Sequence, residues 1–173
     1  AHRLDQTTRT GPLHGIPYGV KDIIDVKGVQ TTGGSAVLRN NIAKEDSDVV
    51  ATLRKAGANI LGKLNLHEFA YGATGENTLY GTPVNAYDKS CLSGGSSSGS
   101  ATAVAWGILP FALGTDTGGS IRAPAALNGL VGLKPTYGKV SMQGIIPYCW
   151  SLDHVGIIAR SVGDVALILD EIS

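Results

Sequence analysis

The stretch GTDTGGSIRAP, residues 114–124, sets two glycines directly before Ser120, with Asp116 ahead of them and Arg122 behind. The apolar PFALGTD (110–116) that leads in reads as a strand, and APAALNGL (123–130) beyond it reads as a short helix. Strand, glycine loop and helix in that order are the elements of an α/β fold. Glycine at 118 and 119 permits dihedrals that other residues resist and lets backbone N–H groups approach a ligand closely. On these residues alone two readings stay open. The loop is a tight turn into a helix, or it holds a nucleophilic serine under a cluster of N–H donors.

The flanking chain repeats the α/β pattern. SDVVATLRKAGA (47–58) predicts an amphipathic helix, with Ser47 as N-cap, Val49, Val50 and Leu53 on one face and Gly57 near its end. NILGKL (59–64) follows as a short buried strand. PYGVKDIIDV (17–26) is a further strand candidate, and SATAVAWGIL (100–109) a helix apolar on most sides, hence buried. SVGDVALILDEI (161–172) predicts a longer helix opened by a capping box of Ser161 and Asp164. ENTLYGTPVNAYDKS (76–90) is polar and rich in turn residues, as a surface loop would be. The expectation is one α/β domain, residues 1–173, incomplete at its C-terminus.

Composition narrows the function classes. The chain has 173 residues, 43% of them hydrophobic and 16% charged, which suits a folded domain with a sizeable core. Its 14 basic and 14 acidic residues cancel, so no electrostatic case exists for nucleic acid or an anionic membrane as direct partner. No apolar run approaches the ~18 residues of a membrane span, and AHRLDQTTRT at the start lacks a signal peptide's apolar stretch. Cys91 and Cys149 form neither a disulfide framework nor a metal-binding pattern, and suit a reducing, cytoplasmic compartment. The 24 glycines are not periodic and gather at junctions such as 31–35, 93–100, 114–120 and 127–133. The absence of an initiator Met, with Met142 the only methionine, suggests a piece of a longer protein.

Three features carry chemistry. In CLSGGSSSGSATAVA (91–105), glycines and hydroxyls run into a helix whose N-terminus suits an anion or oxyanion. No G-x-x-x-x-G-K-[ST] accompanies it, which discounts a phosphate loop. Gly95-Ser96-Ser97-Ser98-Gly99 does match G-x-S-x-G, the nucleophile elbow, and Asp116 and His154 follow in the order that motif wants. The elbow needs a strand before it, however, and NAYDKSCL (85–92) is a poor one. The third feature is Lys21, inside an apolar strand. Such a lysine snorkels to solvent or, if buried, loses proton affinity and becomes a base at neutral pH. Asp22 need not pair with it, since neighbouring strand residues point to opposite faces.

Taken together, GPLHGIPYGVKD, SGGSSSGSA, GTDTGGSIRAPAALNGLVGLKPTYGKVS and WSLDHVG resemble the amidase signature family, in the family's order and over nearly the whole chain. The resemblance implies a mixed β-sheet core flanked by helices, and a Ser–cis-Ser–Lys triad that needs no cofactor and no metal. By motif position Ser120 would be the acyl-forming nucleophile, Ser96 the bridging serine held by a cis peptide, and Lys21 the neutral base. Backbone N–H groups of Thr117, Gly118, Gly119 and Ser120 would form the oxyanion hole, with Ser97, Asp116 and Arg122 as supporting residues. Phe69 and Tyr71, in NLHEFAYG, would line the substrate pocket. Ser98 and Ser93 depart from the glycine and proline common at their positions. His154 is left a structural role, and His2, His14, Cys91, Cys149, Trp106 and Trp150 none beyond packing or surface.

The implied activity is hydrolysis of a small-molecule carboxamide through an acyl-enzyme. NLHEFAYGATGEN and PYCWSLDHVG favour a stand-alone amidase, with self-association left open. The alternative is the glutaminase component of a tRNA-dependent amidotransferase, working with partner subunits. A branch that cleaves allophanate shares SGGSSSGSA but fits GTDTGGSIR less well. From another class, a non-catalytic remnant serving as a binding module is disfavoured by intact Lys21, Ser96 and Ser120.

Overall fold

Side-chain alternation along the central strand sets the architecture. In the computed structural model, which describes residues 11–173, Phe111 and Leu113 join one buried cluster and Ala112 joins another on the opposite face. His2 and the N-terminal segment read for a signal peptide lie outside the described residues. The strands are β1 (Pro17–Lys21), β2 (Asn59–Leu64), β3 (Phe111–Asp116), β4 (Val131–Leu133) and β5 (His154–Ala159). They form one sheet in the order β2-β1-β3-β5-β4. β1 runs parallel to both β2 and β3, while β5 is antiparallel to β3 and β4. The fold is therefore a mixed sheet flanked by helices, as the sequence implied.

Helices cover both faces. On one, α1 (Asp48–Lys55) and α4 (Val162–Ile172) pack Val49, Val50, Leu53, Val165 and Ile168 against Tyr18, Val20, Phe111 and Ile157. Tyr18 and Phe111 stack across β1 and β3 with ring centroids 5.3 Å apart, a contact worth about 0.5–1.5 kcal/mol beyond its buried area. On the other face, α2 (Ser98–Ala105) and α3 (Arg122–Leu127) bring Ala101, Val104, Ile121 and Ala125 onto Ala112 and Ile158. Small residues on α2 allow that close approach. Ahead of α2, residues 76–90 carry no helix or strand, consistent with the surface loop expected.

Several details differ from the expectations. β2 is an edge strand rather than a buried one, with Leu61 exposed, because among the described residues β1 is its only neighbour. β1 ends at Lys21 instead of running to Val26. The short β4 and the fully paired β5 lay unannounced in segments read as a glycine junction and a motif. Ser47 caps α1 in extended conformation but without a side-chain hydrogen bond. At α4 the hydroxyl of Ser161 accepts from the Asp164 N–H and donates to its carboxylate, so the box closes on itself instead of reciprocally.

Candidate active site

Lys21 is the last residue of β1, and alternation turns it, with Gly19, away from the Tyr18–Val20 face toward α2. Its side chain is fully buried, which excludes the snorkelling alternative. Nζ donates to Ser96 Oγ at 2.6 Å and to Thr115 Oγ1 at 3.0 Å. Burial pulls the amine down from 10.5 to about 7, against the attraction of Asp116 and Asp153 for its charged form. Asp22 instead pairs with Lys63 at 2.9 Å. The structure thus holds a lysine poised to be neutral, in direct contact with a buried serine.

The serine-rich turn reaches Lys21 because its own polar groups are satisfied inside. Gly95–Ser96 is a cis peptide, as the resemblance implied. Ser97 donates its Oγ to the Thr115 carbonyl at 3.2 Å and its N–H to the Ser120 carbonyl at 3.2 Å. Ser98 and Ser100 donate to the carbonyls of Gly75 and Leu113. Gly114 makes room for this approach: a Cβ there would lie 2.6 Å from Ser97 Oγ. The arrangement also removes the nucleophile elbow. No strand precedes Ser97, its hydroxyl is buried on a backbone carbonyl, and His154 faces the Leu152 carbonyl at 2.7 Å rather than a serine.

Asp116, wholly buried at the end of β3, organises the glycine loop. Its carboxylate accepts from the N–H groups of Gly119 (2.8 Å), Ile121 (3.1 Å) and Arg122 (3.3 Å). The Arg122 guanidinium grips it with two nitrogens, at 3.0 and 2.9 Å. Burial pushes the Asp116 carboxyl up, but Arg122 and the N–H donors outweigh it and hold the group below the usual carboxylate range. The oxyanion hole expected of four donors loses one of them here. The Gly119 N–H is spent on Asp116, because its backbone, at φ 132°, turns that donor inward. Among the described residues, the N–H groups of Thr117, Gly118 and Ser120 have no acceptor.

These donors edge a cleft of about 230 Å³ lined by residues that include Tyr71, Gly72, Gly95, Gly118, Ser120 and Tyr148. Tyr71 and Tyr148 meet at its side, ring centroids 5.4 Å apart. Phe69, expected beside Tyr71, does not line the cleft. Its N–H donates to the Gly33 carbonyl at 2.7 Å and its ring lies over Gly33, held by a backbone at φ 49°. Three groups escaped the sequence reading: Thr115 as second partner of Lys21, Tyr148 in the wall, and Asp153. The last is buried and binds Thr117 Oγ1 at 2.5 Å and the N–H groups of Tyr148 and Cys149. Only the run WSLDHVG hinted at it. Among the described residues no cluster of His, Cys, Asp and Glu is arranged to hold a metal, and no helix is long and apolar enough to cross a membrane.

The mixed α/β sheet thus places a buried lysine against a buried serine, and a glycine-loop serine at the edge of a cleft. The chain belongs to the amidase signature family, since the Amidase family profile matches residues 1–173. It is 51% identical, over 100% of its length and 36% of the relative's, to the A subunit of glutamyl-tRNA(Gln) amidotransferase from Symbiobacterium thermophilum. It superimposes on the native peptide amidase of Stenotrophomonas maltophilia with a TM-score of 0.92 at 47% identity, covering 99% of this chain and 36% of that one. Against the allophanate hydrolase of Kluyveromyces lactis the TM-score is 0.94 at 43% identity, over 99% and 28% of the two chains. The chain spans little more than a third of the length of the curated relatives it matches.

Proposed function

We propose that this chain carries the catalytic centre of an enzyme that cleaves a carboxamide C–N bond by acyl transfer to Ser120. The observation that carries this reading is the buried 2.6 Å hydrogen bond between Lys21 and Ser96, beside a cleft that holds Ser120 under open N–H groups. Neutral Lys21 takes the Ser96 proton as Ser96 takes that of Ser120, and Ser120 Oγ bonds to the amide carbon. The N–H groups of Thr117, Gly118 and Ser120 receive the negative oxygen. Collapse breaks the C–N bond, and the leaving nitrogen departs with the proton returned from Lys21 through Ser96. Water then attacks the Ser120 ester by the same relay and releases a carboxylic acid.

Among carboxamides, glutamine is the substrate we favour, with the ammonia passed to a partner component of a tRNA-dependent amidotransferase. The support is the 51% identity, over the entire chain, to the glutamyl-tRNA(Gln) amidotransferase relative, which outweighs the motif-based preference for a stand-alone amidase. The stand-alone reading keeps one specific support, the 47% identity to peptide amidase. Fluorophosphonate labelling of the protein at its natural length, mapped by peptide mass spectrometry, tests the chemistry. Label on Ser120, lost in Lys21→Ala, is expected; label on Ser97 would overturn it. Ammonia release from glutamine, raised by partner subunits, is expected next. Turnover of peptide amides with none of glutamine would transfer the assignment to a stand-alone amidase.

A further inference from the structure

We propose that Asp153 is a positioning residue that locks the aromatic wall of the cleft to the glycine loop, so that Tyr148 and Thr117 act as one unit. The inference rests on the reading of Ser120 as nucleophile. Asp153 immediately precedes β5 and is only 4% exposed. Its two carboxylate oxygens face different segments. Oδ1 accepts from the Thr117 hydroxyl at 2.5 Å, and Oδ2 accepts from two consecutive N–H groups, Tyr148 at 2.7 Å and Cys149 at 2.8 Å. Its own N–H returns to the Cys149 carbonyl at 2.9 Å, closing the turn from 149 to 153.

The two ends of this bridge are both at the cleft. Thr117 opens the glycine loop, and its N–H is one of those left without an acceptor. Tyr148 lines the cleft against Tyr71 and is itself half-exposed, and its backbone N–H is held by Asp153. Hydrogen bonds to a carboxylate are short and strong, and one buried acceptor shared by three donors leaves them little independent freedom. A substrate that displaces the tyrosine wall must therefore strain the loop that receives its oxyanion. This makes wall geometry, and hence acyl-group fit, a determinant of turnover as well as of binding.

Thr117→Val removes one end of the bridge and keeps side-chain shape. The protein at its natural length, with Cys91→Ser so that Cys149 is the reporting thiol within these residues, is compared with and without this change. Alkylation of Cys149 is followed by peptide mass spectrometry, and kcat and KM are measured together with Tyr148→Ala and the double variant. Faster Cys149 alkylation by about tenfold in Thr117→Val is expected, the effect of losing one charge-assisted bond. KM should rise as the wall loosens, and the two substitutions should be non-additive. An unchanged alkylation rate overturns the inference whatever the activity. Additive effects with Ser120 still labelled by the fluorophosphonate overturn it and leave the proposed chemistry standing, whereas loss of that label from the unsubstituted protein strikes the chemistry instead.

Discussion

Replacing Lys21 by methionine separates what a buried amine does for catalysis from what it does to stability. Burial lowers the amine from 10.5 to about 7. At pH 7 about half the molecules then carry the neutral form, against roughly one in 3,000 for an unshifted lysine, by ordinary titration arithmetic. The log of kcat/KM should climb with unit slope below pH 7 and flatten above it. Lys21→Met should lose about 10²–10⁴-fold in kcat/KM, the contribution typical of a general base.

The stability effect follows from the same shift. The native amine binds its proton more weakly than the unfolded one, so between about pH 7 and 10.5 the unfolded chain carries more protons. Stability therefore rises with pH across that window and is lowest below it. Between pH 6 and 9 the wild type should gain ~3 kcal/mol relative to Lys21→Met, at 1.36 kcal/mol for each tenfold change in relative proton affinity. Lys63, also lowered mainly by burial, and Tyr18, raised mainly by burial, are present in both proteins and cancel in the difference. The variant also loses the hydrogen bonds from Lys21 to Ser96 and Thr115, a cost nearly independent of pH that leaves the slope unchanged. The assay is urea unfolding of both proteins at the two pH values. Equal pH slopes in wild type and variant would refute the argument, as would an activity inflection above pH 9.

Asp116→Ala should cost about 3–5 kcal/mol in unfolding free energy and abolish Ser120 labelling, because three N–H donors and the Arg122 guanidinium lose their acceptor at once. Thr115→Val should lower stability by about 1–3 kcal/mol, seen as a shifted urea midpoint, since a buried donor of Lys21 is left unmatched. Gly75→Ala should destabilise by about 1–3 kcal/mol, because a Cβ at φ 81° would lie 2.5 Å from that of Ser98. Tyr71→Ala should raise KM more than it lowers kcat, as expected of a wall residue that takes no part in the proposed proton relay.

The legible parts of this protein were those written in local pattern. The Val49, Val50, Leu53 stripe located α1, and the apolar run ending at Asp116 located β3. The long motifs pointed to Lys21, Ser96 and Ser120, which no periodicity could do, since they lie on a strand end and two loops; of these the fold brings Lys21 and Ser96 into direct contact. What escaped depends on neighbours distant in sequence. NILGKL reads the same whether one or two strands flank it, so its place at the sheet edge was invisible. β5 contains Gly156, which lies opposite Gly114 so that Ile121 fits over both, a packing reason that composition does not display. The direction of the Gly119 N–H is a single backbone dihedral, and the seat of Phe69 depends on a positive φ that its residue type disfavours. Asp153 carries no local signal, because its donors, the Thr117 hydroxyl and the N–H groups of Tyr148 and Cys149, reach it only in the fold.

The two carboxylates near Lys21 explain why its pKa stops near neutrality. Desolvation alone drives the amine toward permanent neutrality, and Asp116 and Asp153 pull it back. They are not equivalent, however. Asp116 is paired with Arg122, whereas among the described residues Asp153 has no cationic partner and is held by a hydroxyl and two N–H groups. On the proposed route the proton reaches Lys21 as the oxyanion forms, so a cation appears inside the protein at the moment an anion appears in the cleft. An unneutralised Asp153 favours that cation, while the N–H groups of Thr117, Gly118 and Ser120 favour the anion. Negative charge this close would by itself oppose the oxyanion, and the Arg122 guanidinium offsets that of Asp116. The same side chains that hold the loop in shape thereby balance the charge that moves across it, and Asp153→Asn, which removes the charge at nearly the same shape, should move the acid limb of the kcat/KM pH profile to lower pH.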